Sequence, residues 1–317
     1  MTRAFIIVGP TATGKSELAA DVAREVSAEI VSADAFQIYR GLDLLTAKPD
    51  LSTLAKAPHH LFDTIPTSEE MNAEKYRREA TRAIEEINSR GKLAIVVGGS
   101  GLYIRALTHG LAPLPESDSK LRAKLNAMSL DDLRSQLVEL DPEAAKKIDL
   151  KNRRRLVRAL EICLLTGKSA SEIVAAGLSA VAVAKADDSG RPGSTIPATG
   201  VFVFRDRQEL YERINQRVEM MFERGVIEEV RIAGEISQTA SQMIGLREIR
   251  ELLAGKKSIP QCIAEIQQAT RRYAKRQLTW FRRQTNFLPL NLSFLTHNEA
   301  VKWISLRILS EAGARDD

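Results

Sequence analysis

The chain has 317 residues, of which 44% are hydrophobic and 27% charged, with two cysteines and a net charge of +5. That length exceeds one compact core and suffices for two units, and the balance is that of an ordinary globular protein. The composition excludes a disulfide-built scaffold and a Cys/His zinc module, because neither Cys163 nor Cys262 has a second ligand at the required spacing. No apolar run reaches the length of a membrane span, so a cytoplasmic protein with no membrane partner is expected.

In chain order, Ala4–Val8 is a short apolar run ending in Gly-Pro and reads as a buried strand. Leu18, Val22 and Val26 then recur at helical spacing. Ile30 and Val31 open a second strand. Residues 72–90 form a long charged helix turning Ala80, Ile84 and Ile87 inward, and residues 93–97 are another apolar run closed by Gly98 and Gly99. Strands alternating with helices in this way predict an α/β core, a parallel sheet flanked by helices on both faces.

From about Leu111 the pattern becomes helical without strands: 119–128, 131–140, 142–148, 153–165 and 170–176. Asp141 before Pro142 is an N-cap with proline in the first turn, and Gly167 is a helix stop. Residues 177–200, rich in Ala, Gly, Ser and Pro, read as a flexible loop. A strand over 201–204 rejoins the core, followed by an amphipathic helix marked by Leu210, Ile214, Val218, Met221 and Phe222. Further helices are expected at 225–234, 242–253 and 260–284. The chain therefore divides into a core, 1–111 with 200–317, and a small all-helical insertion over 112–199.

Gly9, Pro10, Thr11, Ala12, Thr13, Gly14, Lys15 and Ser16 match the phosphate-loop pattern G-x-x-x-x-G-K-[ST], placed between a strand and a helix. Glycines let backbone N–H groups converge on an anion, and the helix N-terminus adds its positive end. Lys15 supplies a cation, and Ser16 a hydroxyl able to ligate Mg²⁺. The loop does not name a reaction. The run 93–97 ends in Gly-Gly-Ser without the acid that an NTPase uses for its metal. Asp34, after a strand, could be that acid, a base, or an Asx-turn residue. Phosphoryl transfer, as in a small-molecule kinase, and attack on another diphosphate both remain open.

The cations are unevenly spread. Lys146, Lys147, Lys151, Arg153, Arg154, Arg155 and Arg158 oppose one acid, Asp149, and residues 271–283 carry six cations and no acid. One-signed blocks of this kind suit a polyanion such as RNA. The paired His59 and His60 read as structural loop residues.

Several blocks in order resemble the tRNA dimethylallyltransferase family: the phosphate loop, Ser32-Ala33-Asp34-Ala35-Phe36-Gln37-Ile38-Tyr39, Thr46-Ala47-Lys48-Pro49, Pro58-His59-His60-Leu61-Phe62-Asp63 and Gly98-Gly99-Ser100-Gly101-Leu102-Tyr103. Arg213 to Val218, Met243-Ile244-Gly245 and the block 270–282 continue the likeness. Ala35, Leu45 and Leu246 depart from the family's usual serine, glycine and tyrosine. No zinc-finger pattern follows Arg282, as in the bacterial form.

The resemblance implies a P-loop NTPase-like core. It implies transfer of a dimethylallyl group from its diphosphate to N6 of the adenine at tRNA position 37, in tRNAs reading codons that begin with U. It makes Asp34 the general base and Arg217 the diphosphate clamp, although the spacing of Arg213 and Arg217 alone reads as a surface face. It assigns tRNA anticodon-loop contacts to Asp34, Ala35, Phe36, Gln37, Ser100 and Arg122, to Arg154, Arg155, Leu156, Val157 and Arg158, and to Gln242, Met243, Ile244, Gly245, Leu246 and Arg247. Within 270–282, Tyr273, Trp280 and Phe281 are expected to pack, and Arg271, Lys275 and Arg282 to lie nearer phosphate. The enzyme is expected to act as a monomer with Mg²⁺.

Overall fold

In the computed structural model the described residues are 3–111, 114–173, 196 and 199–313. The chain forms two compact units, one of residues 1–108 and 196–317 and the other of 109–195.

The first unit is built on one six-stranded sheet in the order β3-β2-β4-β1-β5-β6. The strands are β1 (Ala4–Val8), β2 (Glu29–Ser32), β3 (His59–His60), β4 (Ala94–Gly98), β5 (Gly200–Phe204) and β6 (Phe287–Asn291). Every pairing is parallel, with Ile6 opposite Val96 on one side and Gly200 on the other. Strands β1, β2 and β4 are buried at every residue, which is why they read as unbroken apolar runs. Their side chains alternate between two cores. Ile6, Val8, Val31 and Val96 face Tyr76, Ala80, Ile84 and Ile87 of α3 (Ala73–Ser89). Phe5, Ile7, Ile30, Ile95 and Val97 face Leu18, Ala19, Val22 and Ala23 of α1 (Lys15–Glu25) and Ile304 and Ile308 of the last helix, His297–Gly313. Parallel strands place all their carboxyl ends on one edge of the sheet, where open α/β sheets bind ligands.

The second unit contains helices α5 (Ser119–Ala127), α6 (Leu130–Leu140), α7 (Pro142–Lys147) and α8 (Arg153–Thr166) around a core of Leu125, Leu133, Leu137, Leu156 and Leu160. Its punctuation follows from sequence: the Asp141 carboxylate accepts from the Ala144 N–H at 2.9 Å, and Gly167 ends α8 at φ 65°.

Two expectations are corrected. The helix expected from Gln242 begins only at Leu246 (Leu246–Leu253), because Gly245 turns to φ 98° and Gln242 closes a 3-10 turn, Ala240–Gln242. His59 and His60 form strand β3, where His60 Nε2 meets the Glu29 carboxylate at 2.8 Å. Strand β6 and the last helix were not anticipated. The loop expected over 177–200 falls almost wholly outside the described residues, and Gly200 belongs to β5. Among the described residues no helix is long and apolar enough to cross a membrane.

Candidate active site

At the carboxyl edge of the first unit, the loop 9–16 leaves β1 and enters α1 through Gly14, at φ 89°. Inside the loop, the Thr13 hydroxyl donates to the Pro10 carbonyl at 3.0 Å, and the Lys15 ammonium reaches the same oxygen at 3.3 Å. Burial pushes Lys15 down to about 8, against the opposing pull of Asp34. A lysine held partly desolvated over its own loop is poised for an anion.

Three arginines hold the loop from outside. Arg205, just after β5, donates to the Thr13 carbonyl at 2.9 Å. Arg213 and Arg217 lie one turn apart on α9 (Arg207–Glu223), which buries Leu210, Ile214, Val218 and Met221 on the adjacent stripe. Arg213 donates to the Ala12 carbonyl at 2.9 Å and Arg217 to the Thr11 hydroxyl at 2.9 Å. Arg217 is therefore no surface residue: its Nε is buried with no hydrogen-bond partner, and burial lowers its pKa to about 10, opposed by Asp34. A guanidinium with a buried, unused donor is fitted to a ligand that brings acceptors.

Asp34 follows β2 and completes the cluster. Its Oδ1 accepts from the N–H groups of Phe36 at 2.9 Å and Gln37 at 3.3 Å, an Asx-turn. The turn does not exhaust the carboxylate. Among the described residues Oδ2 has no hydrogen-bond partner, and the Asp34 charge acts on Lys15, Arg217, Tyr76, Tyr103 and Tyr273. One oxygen orients the group and the other remains available to chemistry. The Gln37 amide donates to the carbonyls of Thr46 at 3.3 Å and Ala47 at 3.0 Å.

The third strand end is the turn 98–100. The Ser100 N–H donates to the Ala33 carbonyl at 3.2 Å, and its hydroxyl accepts from the Ala35 N–H at 2.9 Å. Ser100 is buried, and its hydroxyl ties the Asp34 loop in place.

The expected RNA-facing residues divide by burial. In the first unit, Ala35, Phe36 and Ile244 are half-buried, Gln242 and Arg247 are exposed, and Met243, Gly245 and Leu246 lie inside the core. The side chains of Met243 and Leu246 can only support a contact surface. In the second unit, Arg154 and Arg155 are exposed, whereas Leu156 and Val157 are buried in its core and cannot present side chains to a partner. Arg122 and Arg158 converge on Glu161, which is fully buried, with contacts of 3.0 Å and 2.6 Å. Those two arginines serve the unit's own interior first.

Sequence reasoning missed Arg205, Glu161 and Gln277, which bridges the phosphate loop and Gly99. It assigned Tyr273, Trp280 and Phe281 to packing; Phe281 is buried and Tyr273 and Trp280 are half-buried. Of the block's cations, Lys275 and Arg282 are exposed, while Arg271 bonds the Asn215 side chain. The grouping of metal-type side chains among the described residues, Glu17, Asp21 and His297, is occupied by protein cations, since Lys56 and Arg24 reach Asp21 at 2.7 Å and 2.9 Å.

Comparisons with known proteins agree with this arrangement. The family model described as IPP transferase matches residues 37–284. The chain is 41% identical over 313 residues to the tRNA dimethylallyltransferase of Geobacter sulfurreducens, covering 96% of this chain and 92% of that one. It is 39% identical to the enzyme of that name from Akkermansia muciniphila, covering 98% and 99%. Among solved structures, the tRNA isopentenylpyrophosphate transferase of Bacillus halodurans superposes with a TM-score of 0.70 at 32% identity, covering 100% and 98%. A eukaryotic dimethylallyltransferase acting on tRNA gives a TM-score of 0.75 at 26% identity, covering 98% and 80%. A parallel six-stranded sheet with a phosphate loop, matched along nearly its whole length by such relatives, places this chain in the IPP transferase family.

Proposed function

We propose that this chain transfers a dimethylallyl group from dimethylallyl diphosphate to N6 of adenine 37 in tRNAs that read codons beginning with U, giving N6-isopentenyladenosine. The observation that carries the reading is the joining of Lys15 and Arg217, both desolvated, with the half-free carboxylate of Asp34 at one edge of the sheet. Two cations and a loop of N–H groups suit a departing diphosphate, whose growing charge needs fixed donors. An exocyclic adenine amine is a poor nucleophile, and a carboxylate within reach takes its proton as the C–N bond forms. Oδ2 of Asp34 fills that role while Oδ1 keeps the group oriented.

Mg²⁺ fits the donor site. Ser16 stands in the first turn of α1, and among the described residues its hydroxyl makes no hydrogen bond, leaving it available as a ligand. When bound, the ion neutralises diphosphate charge. Lys15 and Arg217 hold the same charge from the protein side.

The acceptor base is stacked within an anticodon loop and must be turned out to reach Asp34. Ala35, Phe36 and Gln37 follow the base in the chain and are half-buried, which supports their meeting the displaced adenine in this reading. Exposed Arg154 and Arg155 in the helical unit carry positive charge suited to phosphates, and so, in the core unit, do exposed Arg247, Lys275 and Arg282, with Gln242 exposed as a neutral donor.

The test is direct. The protein is incubated with Mg²⁺, dimethylallyl diphosphate and an anticodon stem-loop carrying three adenines after the anticodon, and the RNA is weighed by mass spectrometry. One added dimethylallyl group on the RNA is expected; an unmodified RNA under conditions where the protein binds both substrates sinks the reading.

A further inference from the structure

Helix α12 (Ile259–Phe281) presents two faces. Arg272, Lys275, Arg276 and Arg282 are exposed, while Gln277 is only 6% exposed and points into the candidate site. Its Oε1 accepts from the Thr11 N–H at 2.9 Å, and its Nε2 donates to the Gly99 carbonyl at 2.9 Å. One partner can only donate and the other can only accept, so the amide has a single orientation. The fit is close: a Cβ at Gly99 would lie 2.3 Å from Nε2. One turn earlier, the Tyr273 hydroxyl is beside Ser100 and Gln277, and Ser100 holds the Ala35 N–H at 2.9 Å. A single helical stripe thus ties together the loops that leave β1, β2 and β4, the donor loop and the base loop included.

Thr11 is held from both sides, its hydroxyl by Arg217 and its N–H by Gln277. Gln277 commits one acceptor and one donor of its amide to backbone, with Tyr273 beside it. It acts through the loop.

We propose that Gln277 is a positioning residue for group transfer, fixing the donor loop against the turn 98–100 and so setting the reach between the departing diphosphate and Asp34. The inference rests on the function proposed above. Loss of the clip leaves Lys15, Arg205, Arg213 and Arg217 in place, so donor binding persists while alignment fails. A displacement near 1 Å between reacting groups costs ~10²-fold in rate.

The test is a mutant cycle between Gln277→Leu and Asp34→Ala, with single-turnover rate, pyrophosphate Kd, RNA Kd and Tm measured for each protein. Gln277→Leu is expected to slow transfer ~10²-fold with Asp34 present. Both Kd values should stay within about twofold of the unmodified protein. In the Asp34→Ala background the same substitution should slow transfer less than about twofold, since no base remains to be aligned. An equal loss in both backgrounds overturns the proposal and leaves Gln277 a packing residue, as does an unchanged rate with Asp34 present. Should the leucine variant fail to fold, Gln277→Glu, which keeps the acceptor for Thr11 and loses the donor to Gly99, is measured in the same cycle under the same criteria. Absence of transfer by the unmodified protein would instead sink the functional reading, a result distinguishable from additive losses.

Discussion

The arginines around the phosphate loop and those of the helical unit are put to different uses. Around the phosphate loop, Arg205, Arg213 and Arg217 turn inward onto backbone carbonyls and a hydroxyl, and Arg217 keeps a buried donor unspent. In the helical unit one buried acid, Glu161, takes Arg122 and Arg158, while Arg154 and Arg155 stay in solvent. A cluster of cations in sequence does not say which are free. The backbone groups and acids that reach them decide it.

Substitutions and one titration sharpen this contrast. The largest effect belongs to Asp34→Ala, which removes the carboxylate facing the inward cations and should cut turnover by ~10²–10⁴-fold with RNA binding retained. Paired turnover and filter-binding measurements check it, and equal losses in both would separate Asp34 from proton transfer. Next is Glu161→Gln. The Asp118 N–H bond to Glu161, at 2.9 Å, can survive on the amide oxygen, but the charge partner of both arginines goes. A loss of roughly 2 kcal/mol in unfolding free energy follows, read by urea denaturation.

The third is a pH profile. Lys15, lowered to about 8 by burial, is charged below that pH and loses its proton above it. Donor kcat/KM should be flat below pH 8 and fall by up to about tenfold per pH unit above it. Lys15→Arg should shift the fall to higher pH, and an unshifted fall would assign it to another group. The smallest effect is Arg155→Ala, which removes one exposed cation of the helical unit. It should lower RNA affinity and reduce the salt slope by about 1, with turnover at saturating RNA unchanged. Arg158→Ala should also loosen the fold, because Arg158 bonds Glu161 and the Pro115 carbonyl.

The contrast also marks what the sequence could tell. The phosphate loop was legible because glycine-rich spacing between a strand and a helix is one of the few local patterns that build an anion site, and the place of Asp34 was legible because it follows a strand, while its role rested on the family resemblance. The core strands were legible because both of their faces are covered. Strand β6 was not: it holds Pro289 and leaves Leu288 exposed, as an edge strand can. The inward turn of Arg217 was hidden, since Arg213 and Arg217 share the spacing of an ordinary solvated face. Gln277 was hidden more deeply. Its partners are backbone groups 266 and 178 positions away, and no local pattern announces them. Within 153–158, alternation of burial along α8 separates exposed Arg154 and Arg155 from buried Leu156 and Val157, a distinction that charge counting passes over.

In the proposed reaction the loop 9–16 holds a leaving group and does not pass on a phosphoryl group. This is tested most directly by single-turnover stoichiometry with dimethylallyl diphosphate and the stem-loop RNA, following pyrophosphate, inorganic phosphate and RNA mass together. One pyrophosphate should be released for each RNA prenylated, with no phosphate formed and no requirement for a nucleoside triphosphate. Phosphate transfer from ATP to an acceptor, with the RNA unmodified, would contradict it.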